Sequence, residues 1–171
     1  MLNMQYTRTQ KILHWVLAVL LLFWLFVSGE LAHESEGDQK LLILAIHSAG
    51  ALVILGLMIW RFVLRRRNTV MPMEALKPWE KTWSVRTHLL FYGLVVLMVA
   101  SGLLQGVFYE VPIRVAGILP ITAGHNETLM APFHETHEIV ALILKLLIGL
   151  HVLAAIKHQF IDHQPIFKRM L

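Results

Sequence analysis

Four long apolar runs constrain this chain more than any other feature. They cover Ile12–Ser28, Leu41–Leu64, His88–Tyr109 and Ile139–Phe160, each close to the ~20 residues a helix needs to cross a bilayer. Lipid offers no partners for free backbone N–H and C=O groups, so each run must close its hydrogen bonds internally as a helix. Only 15% of the 171 residues are charged and 57% are hydrophobic, whereas soluble domains carry about 25% charged residues. The first run is read as a span rather than the h-region of a signal peptide, because it is long and carries His14-Trp15 at its start. The expectation is an all-α integral membrane protein.

The basic residues sort to one side. Arg8 and Lys11 precede the first span. Arg61, Arg65, Arg66, Arg67, Lys77, Lys81 and Arg86 lie between the second and third, and Lys157, Lys168 and Arg169 end or follow the fourth. The opposite side holds Lys40 and Arg114 against Glu30, Glu34, Glu36, Asp38, Glu110, Glu127, Glu135 and Glu138. The positive-inside rule therefore puts both termini in the cytoplasm. The formal charge of +4 then reflects that membrane face and not nucleic-acid binding. An even number of spans with short connections predicts an up-down four-helix bundle, a form that hosts cofactors in its core. The loops expected are an acidic turn near 29–40, a longer segment near 110–136, and a polar linker around Asn68–Thr82 with Pro72 and Pro78.

The chain has no cysteine, which excludes disulfides, thiolate nucleophiles and Cys-ligated iron–sulfur clusters. It has ten histidines, and an ionisable residue inside a span is a functional hypothesis by default. His137 and His151 are 14 positions apart on one helix. At 100° per residue that is ~1400°, within ~40° of whole turns, so both leave nearly one face about 21 Å apart. The same offset takes His14 to Ser28-Gly29, His47 to Arg61, and His88 to Gly102 beside Ser101. With alternating helix directions, one level contains His14, Arg61, His88 and His151. The other contains His47 and His137 with Ser28, Gly29, Ser101 and Gly102.

Two imidazoles per level are what a six-coordinate b-type haem needs, and small residues admit a flat macrocycle between helices. Arg61 is placed to pair a propionate. The depth argument pairs His47 with His137 and leaves His14 and His88 as competing partners for His151. The cluster His134-Glu135-Thr136-His137-Glu138 lacks the spacing of a zincin motif. The chain has no Gly-x-Ser-x-Gly, P-loop or Gly-x-Gly-x-x-Gly either. Histidine-rich binding of a metal without haem is the reading from a different class.

These residues resemble the bacterial cytochrome b561 family, related to the cytochrome b subunits of nickel–iron hydrogenases and formate dehydrogenases. The resemblance rests on Tyr6-Thr7-Arg8-Thr9-Gln10 leading into His14-Trp15, on Ile46-His47 with Gly50, and on Arg61 with Arg65. It continues through His88-Leu89 with Tyr92, Gly117 with Leu119-Pro120, His137-Glu138 and Gly149-Leu150-His151. It implies that 1–171 is one membrane dihaem cytochrome b domain, with His14 and His151 ligating a cytoplasmic-side haem and His47 and His137 an outer one. His88 would then bind a propionate or a quinone. Relatives often carry another histidine just before the His88 position, where this chain has Val85 nearby. His134, one turn before His137, is an alternative ligand, and Lys145 lies at mid-depth between the span-four histidines.

The function implied is electron transfer across the bacterial inner membrane between a periplasmic-side redox protein and the quinone pool. His88 or His158 would serve the protons. Some family members resemble superoxide oxidases that pass the electron to ubiquinone, which makes superoxide:quinone oxidoreductase the alternative. Eight outer carboxylates against two basic residues repel a superoxide anion and suit a cationic protein partner.

Overall fold

The computed structural model describes residues 5–71, 73 and 76–171. Four long apolar helices run through it, as the hydropathy pattern predicts, over Arg8–Glu34, Gly37–Arg67, Pro78–Val107 and Glu127–Ile161. The first comprises α1 (Arg8–Phe23), a π-helical turn (Trp24–Ser28) and α2 (Gly29–Glu34). The second and third are α3 (Gly37–Arg67) and α4 (Pro78–Val107). The fourth is α5 (Glu127–Ile156) continued by a second π-helical turn (Lys157–Ile161). Before α5 comes a small hairpin of β1 (Arg114–Val115) and β2 (Leu119–Pro120), antiparallel, with Arg114 opposite Pro120. Its strands are two residues each and lie in the loop before α5, so the architecture is the expected all-α four-helix bundle.

The helices outrun the apolar runs because their ends are capped by polar residues that hydropathy does not register. Thr7 and Gln10 form a reciprocal capping box at the start of α1: the Gln10 N–H donates to Thr7 Oγ1 (3.3 Å) and the Thr7 N–H to Gln10 Oε1 (3.0 Å). Pro78 occupies the first turn of α4, and Glu80 Oε2 accepts the Lys77 N–H at 2.8 Å. Asn126, in an extended conformation, accepts the Leu129 N–H at 3.1 Å and starts α5 ten residues or more before the apolar run. The expected loop of 110–136 is therefore part helix. The connection from α2 to α3 is a tight turn in which Gly37 has φ +54°, a region that favours glycine. In the linker after α3, Pro72 lies outside the described residues.

Between the two histidine levels sits an apolar core of Leu17, Leu25, Ile54, Met58, Leu94, Val95, Val140 and Leu144. Its centre follows from the 14-residue offset. Ile54, Val95 and Leu144 lie seven positions from His47, His88 and His137 respectively, two turns or about 10 Å along the axis. They are 4%, 2% and 1% exposed, so the midplane is dry and closely filled. The outward faces are the reverse: Val19, Val53, Leu142, Leu146 and Leu150 are each more than half exposed, a surface that only lipid tails solvate. Helix α4 packs along α5, and α3 lies between α1 and α4. The first and fourth helices meet through side chains, His14 of α1 with His151 of α5 and Glu30 of α2 with Lys145 of α5.

Candidate haem-binding levels

At the acidic end, His47 on α3 faces His137 on α5, with ring centroids 6.3 Å apart and planes at 65°. One nitrogen of each ring is already engaged. His47 Nδ1 is hydrogen-bonded to Ser28 Oγ (2.9 Å) from the π turn after α1. His137 Nδ1–H donates to the Met98 carbonyl (2.9 Å), with Ser101 Oγ at 3.3 Å. The bond to the Met98 carbonyl fixes the His137 tautomer, and both bonds hold their ring through Nδ1 and leave Nε2 unengaged, the arrangement found at metal-ligating histidines. Trp24 Nε1–H donates to the His47 carbonyl at 3.0 Å, and a Cβ at Gly50 would overlap the Trp24 indole. At Gly102 a Cβ would lie 2.9 Å from His137 Cε1. Ser28, Ser101 and Gly102 thus seat the imidazoles themselves, a closer role than the opening for a macrocycle expected of them. The hairpin is tied to the same level: the Ala116 N–H donates to the hydroxyl of Ser48, the residue after His47 (3.0 Å).

At the basic end, His14 on α1 faces His151 on α5, with centroids 6.2 Å apart and planes at 69°. The pair repeats the acidic-end pair in both distance and angle. His88 also reaches His151, at 5.7 Å and 81°, as does Phe91 at 5.7 Å. The His88 Nδ1–H donates to the Ser84 carbonyl at 2.5 Å. Arg61 donates to the Gln10 carbonyl (2.6 Å), while Gln10 Nε2 donates to the carbonyls of Leu64 and Asn68 (3.4 Å each). The Thr7–Gln10 motif is therefore both a helix start and a tie between α1 and α3. Arg61, Arg65, His88, Tyr6, Gln10 and Tyr92 line one cleft above the His14–His151 pair, where two guanidinium groups offer a place for carboxylates.

The fit of a b-type haem can be tested on these distances. Two imidazoles on one iron need about 2 Å per metal–nitrogen bond and about 1.1 Å from nitrogen to ring centre, a total of about 6.2 Å. The His47–His137 and His14–His151 distances match it, and the His88–His151 distance, 5.7 Å, is shorter. The donor set, two imidazoles per level in apolar surroundings, is of the kind that can hold haem iron.

The remaining residues singled out from the sequence fall elsewhere. His134 sits half-exposed, with Nδ1 bonded to Gln105 Oε1 (3.0 Å) and Nε2 3.4 Å from Glu138. Lys145 turns to Glu30 (3.8 Å) and the Phe26 ring (5.4 Å). Snorkelling outward thus describes it, with no contact to the cleft around Arg61. His158 donates from Nδ1 to Asp162 Oδ2 at 2.7 Å, and Lys157 donates to the same oxygen at 2.5 Å and approaches Glu80 at 3.8 Å. Ligand atoms of Glu80, His158 and Asp162 lie within 4.8 Å of one another. The sequence reading passed over this cluster; the i,i+4 spacing of His158 and Asp162 was its only local sign. Asp162 lies just past the span, and the hydrogen bond from Lys157, with that from His158 behind it, holds its carboxyl below the usual aspartate range.

The model of one protein family, prokaryotic cytochrome b561, matches residues 5–171. That range contains every histidine of both levels, all four helices and the cleft around Arg61. The chain accordingly belongs to the prokaryotic cytochrome b561 family, and is a multi-pass bacterial membrane cytochrome that transfers electrons with b-type haem.

Proposed function

We propose that this cytochrome holds two b-type haems, one between His47 and His137 and one between His14 and His151, and connects a periplasmic-side redox protein to quinone across the inner membrane. The observation that carries this reading is the repeat of one geometry at two depths: opposed imidazoles at 6.3 Å and 65°, and again at 6.2 Å and 69°. A chance contact between a pair of histidines has no reason to recur with the same spacing two levels away. Bound haem supplies one-electron chemistry, and the protein supplies its position and surroundings.

The chain's own residues divide the work. Ser28, Met98 and Ser101 hold the outer imidazoles through Nδ1, which leaves Nε2 unengaged. Arg61 and Arg65 offer cations to propionates beside the His14–His151 pair. Ile54, Val95 and Leu144 keep water out of the space between the levels, where a low dielectric strengthens every charge interaction. His88 sits beside the same level with its Nδ1–H held by Ser84, leaving Nε2 to accept or deliver a proton to a quinone. The acidic outer surface favours a cationic protein over superoxide as the donor, because eight carboxylates repel an anion.

Proteoliposomes with the protein in known orientation test this function. Electrons given by a reduced cationic c-type cytochrome outside should appear in a quinone dissolved in the bilayer, at a rate that falls with salt. Reduction by superoxide faster than by any protein donor would move the assignment to superoxide:quinone oxidoreductase. Transfer that bypasses quinone altogether would contradict the proposal.

A further inference from the structure

Outside the histidine levels, a groove of about 640 Å³ runs along the outer face of α1 at the basic end. Its head is cationic and its floor is apolar. Arg8 and Lys11 stand at the head, and Ile12, Trp15 and Val16 follow one to two turns further into the bilayer. Met170 and Leu171 form the opposite wall. Ile12, Trp15 and Val16 are 52%, 50% and 41% exposed, and Val19 continues the same stripe at 66%. Read from the basic end inward, the groove goes from charge to indole to aliphatic surface, in the order met on crossing a lipid from headgroup to tail.

Among the described residues, no acidic side chain occupies the first turn of α1 and none lines the groove. Arg8 is the first residue of α1, where the helix dipole is positive and disfavours a cation. Lys11 donates to the Leu171 backbone oxygen at 2.5 Å, which uses one of its three N–H groups and leaves two for an anion. The Trp15 indole N–H is held by the Met170 carbonyl at 2.8 Å, so the ring is fixed as the groove's shoulder. An anion at Arg8 and Lys11 removes the repulsion, and an attached chain covers Ile12, Val16 and Val19.

We propose that this groove is a binding site for one anionic glycerophospholipid of the cytoplasmic leaflet, its phosphate between Arg8 and Lys11 and an acyl chain along Ile12, Val16 and Val19. The occupant follows from charge and depth together. A soluble phosphate has no use for the apolar track, and a zwitterionic lipid presents its own cation to Arg8. The leaflet on the basic side is also the one in which anionic lipid attracts juxtamembrane lysine and arginine.

The test uses detergent-solubilised, delipidated holoprotein with phosphatidylglycerol or phosphatidylcholine added, and counts bound lipid by native mass spectrometry. Phosphatidylglycerol should be retained in preference to phosphatidylcholine, at one tight site per chain. The double variant Arg8→Gln/Lys11→Gln should bind it about thirtyfold more weakly, at the strength per cation expected near a membrane surface. Arg66→Gln/Arg67→Gln removes equal charge from exposed positions off the groove and should leave the tight site intact. All proteins are compared at unchanged helical content. Equal loss in both double variants, or no loss in the first, would overturn the proposal. So would displacement of the lipid by millimolar inorganic phosphate.

Discussion

Ser28 reaches from the π-helical turn after α1 to His47 on α3, with Oγ 2.9 Å from Nδ1. This bond sets which nitrogen of His47 is free and which way its ring points, and removing such a support costs about tenfold or more in metal affinity. Ser28→Ala should therefore weaken haem retention at the acidic-end level about tenfold and leave the other level unchanged. Haem titration into the apoprotein, followed in the Soret band, measures it.

The ligands themselves give an all-or-none version of the same experiment. His47→Ala or His137→Ala should each remove one haem and leave the second spectrally intact. His14→Ala should remove the haem at the basic end, whereas His88→Ala should keep it and alter the quinone reaction. Retention of both haems by His14→Ala, with loss of one by His88→Ala, would reassign the ligand. Haem per chain in the purified variants separates the cases.

Gly50 leaves room for the Trp24 indole, which a Cβ there would overlap. Gly50→Ala should push the ring aside and break its bond to the His47 carbonyl. Overpacking of this kind costs about 1–3 kcal/mol. A lower midpoint in thermal unfolding, together with a shifted Trp fluorescence spectrum, is the expected result.

Lys145 and Glu30 make an asymmetric pair. Removing the carboxylate in Glu30→Leu strands an ammonium group beside lipid and Phe26, whereas Lys145→Leu leaves Glu30, 63% exposed, to be solvated at the acidic end. An unpaired charge within the membrane is the costlier defect. Glu30→Leu should destabilise the protein more than Lys145→Leu in detergent unfolding, and the double variant should recover most of the difference.

Acid should loosen the end of the fourth span. Because Asp162 is ionised more readily in the folded chain than in the unfolded one, its contribution is fully present above the usual aspartate value of about 3.9 and is lost as pH falls through its lowered value. Amides of the turn that ends the span, including Asp162 N–H to Lys157 O and Gln164 N–H to His158 O, should show lower protection factors, with the intrinsic pH dependence of exchange divided out, at pH 3 than at pH 6. In Asp162→Asn that difference should shrink.

The sequence made the histidine levels legible because both members of the most informative pair, His137 and His151, lie on one helix. Their separation is then fixed by helical rise alone. The choice between His14 and His88 was not legible by depth, since both lie at one level on different helices. In the folded chain both rings lie against His151, at 6.2 Å and 5.7 Å, and the proposal assigns His14 as the ligand. The start of α5 was missed because Asn126 and the polar turns after it are invisible to hydropathy, although they cap and extend the helix. Glu80 with Asp162 was missed for a different reason, as the two come together only when the ends of α4 and α5 meet. Lys145 looked anomalous at mid-depth because its partner, Glu30, is more than a hundred residues away in the chain.

Haem stoichiometry tests the two-level account most directly. Haem extracted from purified protein as its pyridine complex is counted against chain concentration, with a redox titration of the α band on the same sample. The account predicts two b-type haems per chain and two resolved midpoint potentials. One haem per chain in fully loaded protein, titrating as a single wave, would contradict it.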